Sequence, residues 1–354
     1  MKGRVIAIDS YRGRTVAALV EDGQLLDLAI DTEGEAPLPG AIFRAVVNRP
    51  MKGQGGVFVT LPGGQNGFLR QVSGLAPGQR VLVQVAGHAE PGKAVPVTLR
   101  LLFKSRYAIV SPGAPGQNIS RRIRDEDTRA QMAEVAKAAM AGADEGLGLV
   151  VRSAAEAVEA ADLAEDIAQM RTLAEAVLAD LDGPPELLVE GAGAEETAWR
   201  DWADPPVDEF RARPGAIAEL GVDDLIDAVL APRVALPGGG HMMIEPTRAL
   251  VAVDVNTGPD TSPAAGLKAN IGAARDLPRQ LRLRGLGGQV VVDFAPMSKK
   301  DRATLDQVLR AAFKAAGTEV SLAGWTPLGN FELQRKRDRM PLTEALSGAP
   351  GGAA

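Results

Sequence analysis

Two stretches decide the reading of this chain: Ala249-Leu-Val-Ala-Val-Asp254, with Asn256 two residues on, and Gln289-Val-Val-Val-Asp293. Each carries a short, continuous apolar run (Ala249–Val253 and Val290–Val292) ending in an aspartate, the pattern of a buried strand. Two such strands side by side bring two carboxylates together at a sheet edge. That arrangement suits Mg²⁺ with several waters retained. Asn256 lies on the same side of its strand as Asp254 and could orient that carboxylate or a phosphate. The plainer reading of either aspartate alone is a strand-end cap or turn former.

A helix is expected between these strands, near residues 266–284. Arg275, Arg279 and Arg282 are spaced i, i+4, i+7 and share one face, with Leu277 and Leu281 facing elsewhere. A cationic stripe there could neutralise phosphates; a solvated helix face accounts for the same pattern. Pro278 should kink or start the helix. The run Arg335-Lys-Arg337-Asp-Arg339 is open to the same two readings. Gly238-Gly-Gly240 lacks the lysine and spacing of a phosphate loop and reads as a hairpin turn. His241 beside it has nothing that marks it as a base.

Working outward, Arg4-Val-Ile-Ala-Ile-Asp9, Thr15-Val-Ala-Ala-Leu-Val20 and Leu25-Leu-Asp-Leu28 alternate about an Asp22-Gly23 step, a hairpin signal. Five short runs between residues 41 and 101 suit a small OB-type barrel. Phe58 and Phe68 fall on neighbouring strands of it. Exposed aromatics on such a barrel stack single-stranded bases, whereas a buried pair would only pack. Arg121 and Arg122 follow Ser120 as a short basic patch, or as a helix entry. Arg152-Ser153 ends the run Leu149-Val-Val151, where an arginine beside a hydroxyl could grip a terminal phosphate. Helices are expected over about 128–141, 155–181 and 299–316. Signals from 186 to 233 are weak, and the small-residue tail from 343 reads as disordered.

The chain has 354 residues, 45% of them apolar, enough for a sizeable core in two or three domains. It contains no cysteine and two histidines, His88 and His241. A disulfide scaffold, a Cys-ligated zinc, a thiol nucleophile and a multi-histidine metal site are therefore excluded. Metal chemistry must use carboxylates and other oxygen ligands. No apolar run is long enough for a membrane span, and the start leads into a strand without the form of a signal peptide, so a cytoplasmic location is expected. The net charge of −6 is an average over unlike parts. Residues 144–190 hold twelve acids against Arg152 and Arg171, while 268–284 hold five cations against Asp276. Local patches are what a polyanion meets.

Taken in order, the chain resembles the catalytic half of the ribonuclease E/G family. The carrying residues are Gly56-Val-Phe-Val with Asn66-Gly-Phe-Leu69, Asn118-Ile-Ser-Arg-Arg-Ile123, Gly146-Leu-Gly-Leu-Val-Val-Arg152, Leu236-Pro-Gly-Gly-Gly240, and Asp254-Val-Asn256. Further on come Arg279-Gln-Leu-Arg-Leu-Arg-Gly-Leu-Gly-Gly288, Val292-Asp-Phe294 and Leu328-Gly-Asn-Phe-Glu-Leu-Gln-Arg-Lys-Arg337. The resemblance implies an α/β multidomain protein. Its parts would be an RNase H-like subdomain (1–36 and a reduced 186–232), an inserted S1-type OB barrel (37–101), a 5′-sensor region (102–185) and a DNase I-like catalytic subdomain (233–342). The implied activity is Mg²⁺-dependent endonucleolytic cleavage of single-stranded RNA in processing or decay, leaving a 5′-phosphate and a 3′-hydroxyl, with Mn²⁺ able to substitute. Asp254 and Asp293 would hold the cation and Asn256 support them. Arg152 and Ser153 would read a 5′-monophosphate, where the family usually carries threonine in place of Ser153. Phe58, Phe68, Arg121, Arg122, Arg279, Arg282, Arg335 and Arg337 would contact RNA.

The chain departs from the family at several points. A third barrel aromatic is Leu61, and an acid common three residues after Asp293 is Pro296. The cysteine pair that shares a zinc between protomers is missing, so no zinc and no zinc-linked tetramer is expected. A homodimer is left open, with an apolar face near 318–333 (Trp325, Phe331) or plain core packing as the two readings of that segment. The rival functional reading is an RNA-binding regulator or maturation factor that keeps the fold with weak or no cleavage.

Overall fold

The computed structural model describes residues 2–32, 36–48, 55–70, 72–90, 92–260, 262 and 264–347. Strands β1 (Arg4–Tyr11), β2 (Arg14–Glu21) and β3 (Gln24–Ile30) lie in order in one sheet. Asp22 and Gly23, both at positive φ, turn the second hairpin, as the Asp-Gly step requires.

Next come β4 (Ile42–Val47), β5 (Gly56–Thr60), β6 (Asn66–Arg70), β7 (Arg80–Val85) and β8 (Val95–Thr98). Their order is β4-β5-β6-β8-β7, and β4 pairs back to β7, so five strands close into an OB-like barrel. Closure removes the open edges of a short-stranded sheet. Val57, Val59, Leu69, Val83 and Val97 fill the interior from alternate positions.

A second sheet holds β9 (Phe103–Lys104), β10 (Ala108–Pro112), β11 (Gly116–Ile119) and β12 (Leu147–Val151), in the order β11-β12-β10-β9. Helices α1 (Glu126–Ala139) and α2 (Ala160–Ala179) share one core with it through Met132, Ala136, Leu163 and Ile167. Asp125 caps α1 by accepting from the Thr128 N–H. Strand β13 (Glu186–Val189) then adds to the barrel strand β4, where buried Arg44 pairs with Asp180 and Glu186.

The weakly patterned stretch that follows is structured. It forms α3 (Ala194–Asp201), β14 (Glu209–Ala212), α4 (Ala216–Glu219) and α5 (Val222–Leu230). Strand β14 joins the first sheet beside β1. Helix α5 buries Val222, Ile226 and Val229 in one core with Val16, Ala18 and Val20.

The remaining sheet is built from β15 (Arg233–Ala235), β16 (His241–Pro246), β17 (Val251–Asn256), β18 (Gly288–Asp293), β19 (Val320–Trp325) and β20 (Phe331–Arg335). Its order is β15-β16-β17-β18-β20-β19. β17 and β18 are parallel. A parallel pair needs a crossover, and α6 (Ala265–Leu283) supplies it. Helix α7 (Lys299–Ala315) covers the same core through Leu305, Leu309 and Phe313.

Two expectations change here, and a third segment had two readings open. Helix α6 runs through Pro278 as one element, with Pro278 buried among the helix's packed residues. The tail read as disordered from 343 instead starts with α8 (Leu342–Leu346), whose Leu342 and Leu346 are buried; residues 348–354 lie outside the described residues. Of the two readings of residues 318–333, Phe331 follows core packing, fully buried with Trp325 edge-on against it at 5.3 Å, whereas Leu328 in the same segment is 92% exposed.

The chain forms two units, one of Met1–Lys2, Ala7–Thr32 and Arg211–Ala354, the other of Gly3–Ile6 and Glu33–Phe210. The first holds the β15–β20 sheet and the second holds the barrel and the β9–β12 sheet. Among the described residues no helix is long and apolar enough to cross a membrane.

Candidate functional site

The parallel register of β17 and β18 sets Val251 against Val290, Val253 against Val292, and Asp254 directly against Asp293. Neighbouring strands lie roughly 4.8 Å apart, so the two carboxylates emerge side by side at the carboxyl ends of adjacent strands. Burial alternates along both strands. Val251, Val253, Val290 and Val292 enter the core, while Asp254 and Asp293 are exposed on the other face. Asn256 shares the face of Asp254 and donates from Nδ2 to its Oδ2 at 2.6 Å. That bond fixes one carboxylate oxygen in direction. His241 of β16 stands directly across from Asn256 in the antiparallel register, a proximity that no local sequence signal carried.

Among the described residues no three or more His, Cys, Asp or Glu side chains form a metal-binding group. What Asp254 and Asp293 could offer a hard cation is two adjacent carboxylates, any further ligands having to be oxygens from outside the protein. That is the way Mg²⁺ is bound when it keeps most of its water.

What holds the end of β18 in place is a residue sequence reasoning missed. Asn270, fully buried on α6, donates from Nδ2 to the Ala295 carbonyl and accepts from the Ala295 N–H, both at 2.9 Å. This two-point clamp secures the backbone two residues beyond Asp293. Gly266 lets the same helix approach closely, since a Cβ there would lie 2.5 Å from the Pro296 carbonyl. The available signal was a polar residue among the buried positions Ala269, Ala273, Ala274 and Leu277.

The arginines sort differently from their expected roles. Arg279 pairs with Asp276 at 2.6 Å and donates to the Leu25 carbonyl, while Arg282 lies 3.6 Å from Asp27 and donates to the Leu26 carbonyl. Burial lowers the pKa of Arg282, with Asp27 opposing the fall. Both therefore fasten α6 to β3, a structural role that their spacing along the helix did not reveal. Arg275 of that stripe is exposed. Arg335 is 1% exposed, donates to the Leu286 carbonyl at 2.8 Å and pairs with Asp338 at 3.1 Å. A side chain so enclosed cannot meet a phosphate, so that assignment is corrected. Arg337 lies over Gly287 and Gly288, donating to the Gly287 carbonyl; a Cβ on Gly288 would stand 2.6 Å from its guanidinium.

In the other unit, Phe58 and Phe68 are direct cross-strand partners with ring centroids 4.9 Å apart. Both alternate with buried neighbours and are half-exposed on the outer face of the barrel. Gly56 makes room for the Phe68 ring, which a Cβ there would meet at 2.5 Å. Leu61, by contrast, is buried in the barrel core. Arg121 is exposed, and Arg122 pairs with Asp204 at 3.0 Å. Arg152 donates to the carbonyls of Ser105 and Arg200 and pairs with Asp201 at 2.9 Å, and Ser153 donates to Asp204. The expected phosphate-reading pair thus faces carboxylates of its own chain.

The pattern of the ribonuclease E/G family matches residues 103–217 and 210–338. The chain is 29% identical to ribonuclease E of Nostoc over 93% of its length and 30% identical to ribonuclease E of Synechocystis over 95%. It is 28% identical to ribonuclease G of Escherichia coli over 94%. It spans 55% and 57% of the two ribonuclease E chains and 79% of that ribonuclease G.

Proposed function

Because the chain belongs to the ribonuclease E/G family, we propose that it is an endoribonuclease that cleaves single-stranded RNA, with Asp254 and Asp293 as the centre of its active site. The observation that carries this reading is the in-register pairing of those two carboxylates at the ends of adjacent parallel strands, with Asn256 bonded to the first. Asp254 and Asp293 would hold Mg²⁺, or Mn²⁺ in its place. When bound, the cation supplies Lewis acidity at the scissile phosphate and favours an attacking water. The protein's own contribution is placement. Asn256 orients Asp254, and the Asn270 clamp fixes the backbone beyond Asp293. Hydrolysis would leave a 5′-phosphate and a 3′-hydroxyl. In this reading the β15–β20 sheet with α6 and α7 is the DNase I-like catalytic part, and the β1–β3 sheet with β14 and α5 the reduced RNase H-like part.

The decisive test is incubation of a 5′-labelled, AU-rich single-stranded RNA with the protein in Mg²⁺ or in EDTA. Internal cleavage in Mg²⁺ that EDTA abolishes is the expected result. Binding without cleavage in Mg²⁺ would instead favour a regulator that retains the fold.

The barrel supplies RNA affinity through its outward aromatic pair. Base–aromatic stacking is worth about 1–3 kcal/mol per base, so Phe58→Ala or Phe68→Ala should weaken binding of a short single-stranded RNA by about 5- to 100-fold. Fluorescence anisotropy in EDTA measures this without cleavage, and an affinity in both variants equal to that of the unmutated protein removes the stacking role. The 354 residues contain no cysteine, so a thiolate-held zinc has no ligands among them.

A further inference from the structure

Asp254 and Asp293 share their end of the sheet with a hairpin turn and the start of a helix. Phe331, the first residue of β20, lies against Val292, and Trp325, the last of β19, lies against Phe331. The turn that joins β19 to β20 therefore projects past the strand ends beside Asp293. Helix α7 starts at the same end, since β18 leads into it through the short segment 294–298.

The turn is built to hold one shape. The Thr326 N–H donates to the Asn330 carbonyl at 2.7 Å, the Gly329 N–H to the Thr326 carbonyl at 3.0 Å, and the Asn330 N–H to the Thr326 hydroxyl at 3.1 Å. Gly329 sits at φ 100°, where glycine is favoured. Arg302 of α7 braces the base of the turn, its guanidinium 4.7 Å from the Trp325 ring centroid. A Cβ on Gly329 would stand 3.1 Å from Arg302 Nη2. The side chain presented by this frame is Leu328, almost wholly in water. An ordered turn that holds a large apolar side chain in solvent forgoes the stabilisation its burial would bring.

The charge beside the tip decides which partner fits. Lys299 and Lys300 are exposed in the first turn of α7, and among the described residues neither they nor Arg302 form an ion pair. Asp301, the acid among them, accepts from the Ser298 hydroxyl at 2.7 Å. Cations are the disfavoured charge at that end of a helix, so the stability of α7 does not account for the lysines. An apolar tip beside unneutralised cations suits an unpaired nucleobase with a phosphate on either side. In a duplex the base faces are stacked on one another and closed to such a side chain.

We propose that Leu328 packs against an unpaired base of the RNA close to the scissile phosphodiester, with Lys299 and Lys300 on the neighbouring phosphates, so that the 326–330 turn favours single-stranded substrate. This rests on the nuclease reading and names the residues by which that site takes its substrate.

The test is fluorescence anisotropy in EDTA over a salt series, with a labelled single-stranded RNA and a duplex of the same sequence. Leu328→Ser should weaken single-strand binding by about tenfold while duplex affinity and the salt slope stay as they were. Lys299→Gln combined with Lys300→Gln should make the slope of log affinity against log salt shallower by about 1.4, the value for two single-strand phosphates. All three side chains are exposed, so the thermal midpoint should hold in both variants. Unmutated single-strand affinity in Leu328→Ser, an equal loss on the duplex, or an unchanged slope in the lysine variant overturns the proposal. So does a loss of self-association in Leu328→Ser with RNA affinity intact, which would give the tip to a second copy of the chain. Binding is read without metal, so this result stands apart from failure of the nuclease reading, which would appear as no cleavage by the unmutated protein in Mg²⁺.

Discussion

Asp254→Asn and Asp293→Asn should each lower Mg²⁺-dependent cleavage by about two to four orders of magnitude, the loss expected when a cation worth several kcal/mol of transition-state stabilisation is poorly held. The substitution keeps the shape of the side chain and removes one of the two charges the cation needs. Both residues are exposed at strand ends, and the strands are fastened by buried valines on the opposite face. Neither variant should therefore shift the thermal midpoint appreciably. Single-turnover rates over a Mg²⁺ titration are the measurement, with circular dichroism as the check on folding. Cleavage at the unmutated rate in either variant would remove that residue from the site. Asn256→Ala should act in the same direction with a smaller loss, since it frees the Asp254 carboxylate without discharging it.

Much of this site was legible because it rests on short-range pattern. Apolar runs of five residues (Ala249–Val253) and three (Val290–Val292) specify buried strands, and an aspartate at the end of each needs only the right pairing to meet its partner. The five barrel strands are similarly written in alternating apolar residues between turns. The stretch from 194 to 230 was not legible for a physical reason. Helix α3 is rich in alanine and charge, α4 has four residues, and such pieces owe their stability to tertiary packing. Pro278 misled in the same way, because α6 buries it along with Leu277 and Leu281, and that packing outweighs the proline's local cost. The protein partners of the α6 arginines were out of reach for want of range. Spacing along α6 shows that Arg279 and Arg282 share a face, but their partners Leu25, Leu26 and Asp27 lie some 250 residues away in sequence.

Arg335 shows how that distinction can be measured. Read from sequence, it is one cation of a basic run near the end of the chain. In the structure its side chain is enclosed beneath β20, bonded to the Leu286 carbonyl and paired with Asp338. Burial lowers its pKa, with Asp338 opposing the fall. Arg335→Ala removes a charged hydrogen bond worth about 1.5–3 kcal/mol and leaves the Leu286 carbonyl without that donor. It also opens a cavity where the aliphatic stem packed, a further cost of about 1–2 kcal/mol. Asp338 is 41% exposed and can rehydrate, so the upper range for a broken buried ion pair does not apply. The expected loss is about 3 kcal/mol or more, read as a fall in the urea midpoint at unchanged slope. Arg335→Met, which keeps the stem, should recover the cavity part. A phosphate-contacting arginine would behave oppositely, leaving the midpoint in place and reducing the salt dependence of RNA binding by about one counterion. An unchanged urea midpoint together with a shallower salt slope would return Arg335 to the RNA interface. A large midpoint shift would identify it as the buried cation that ties β20 to the loop before β18.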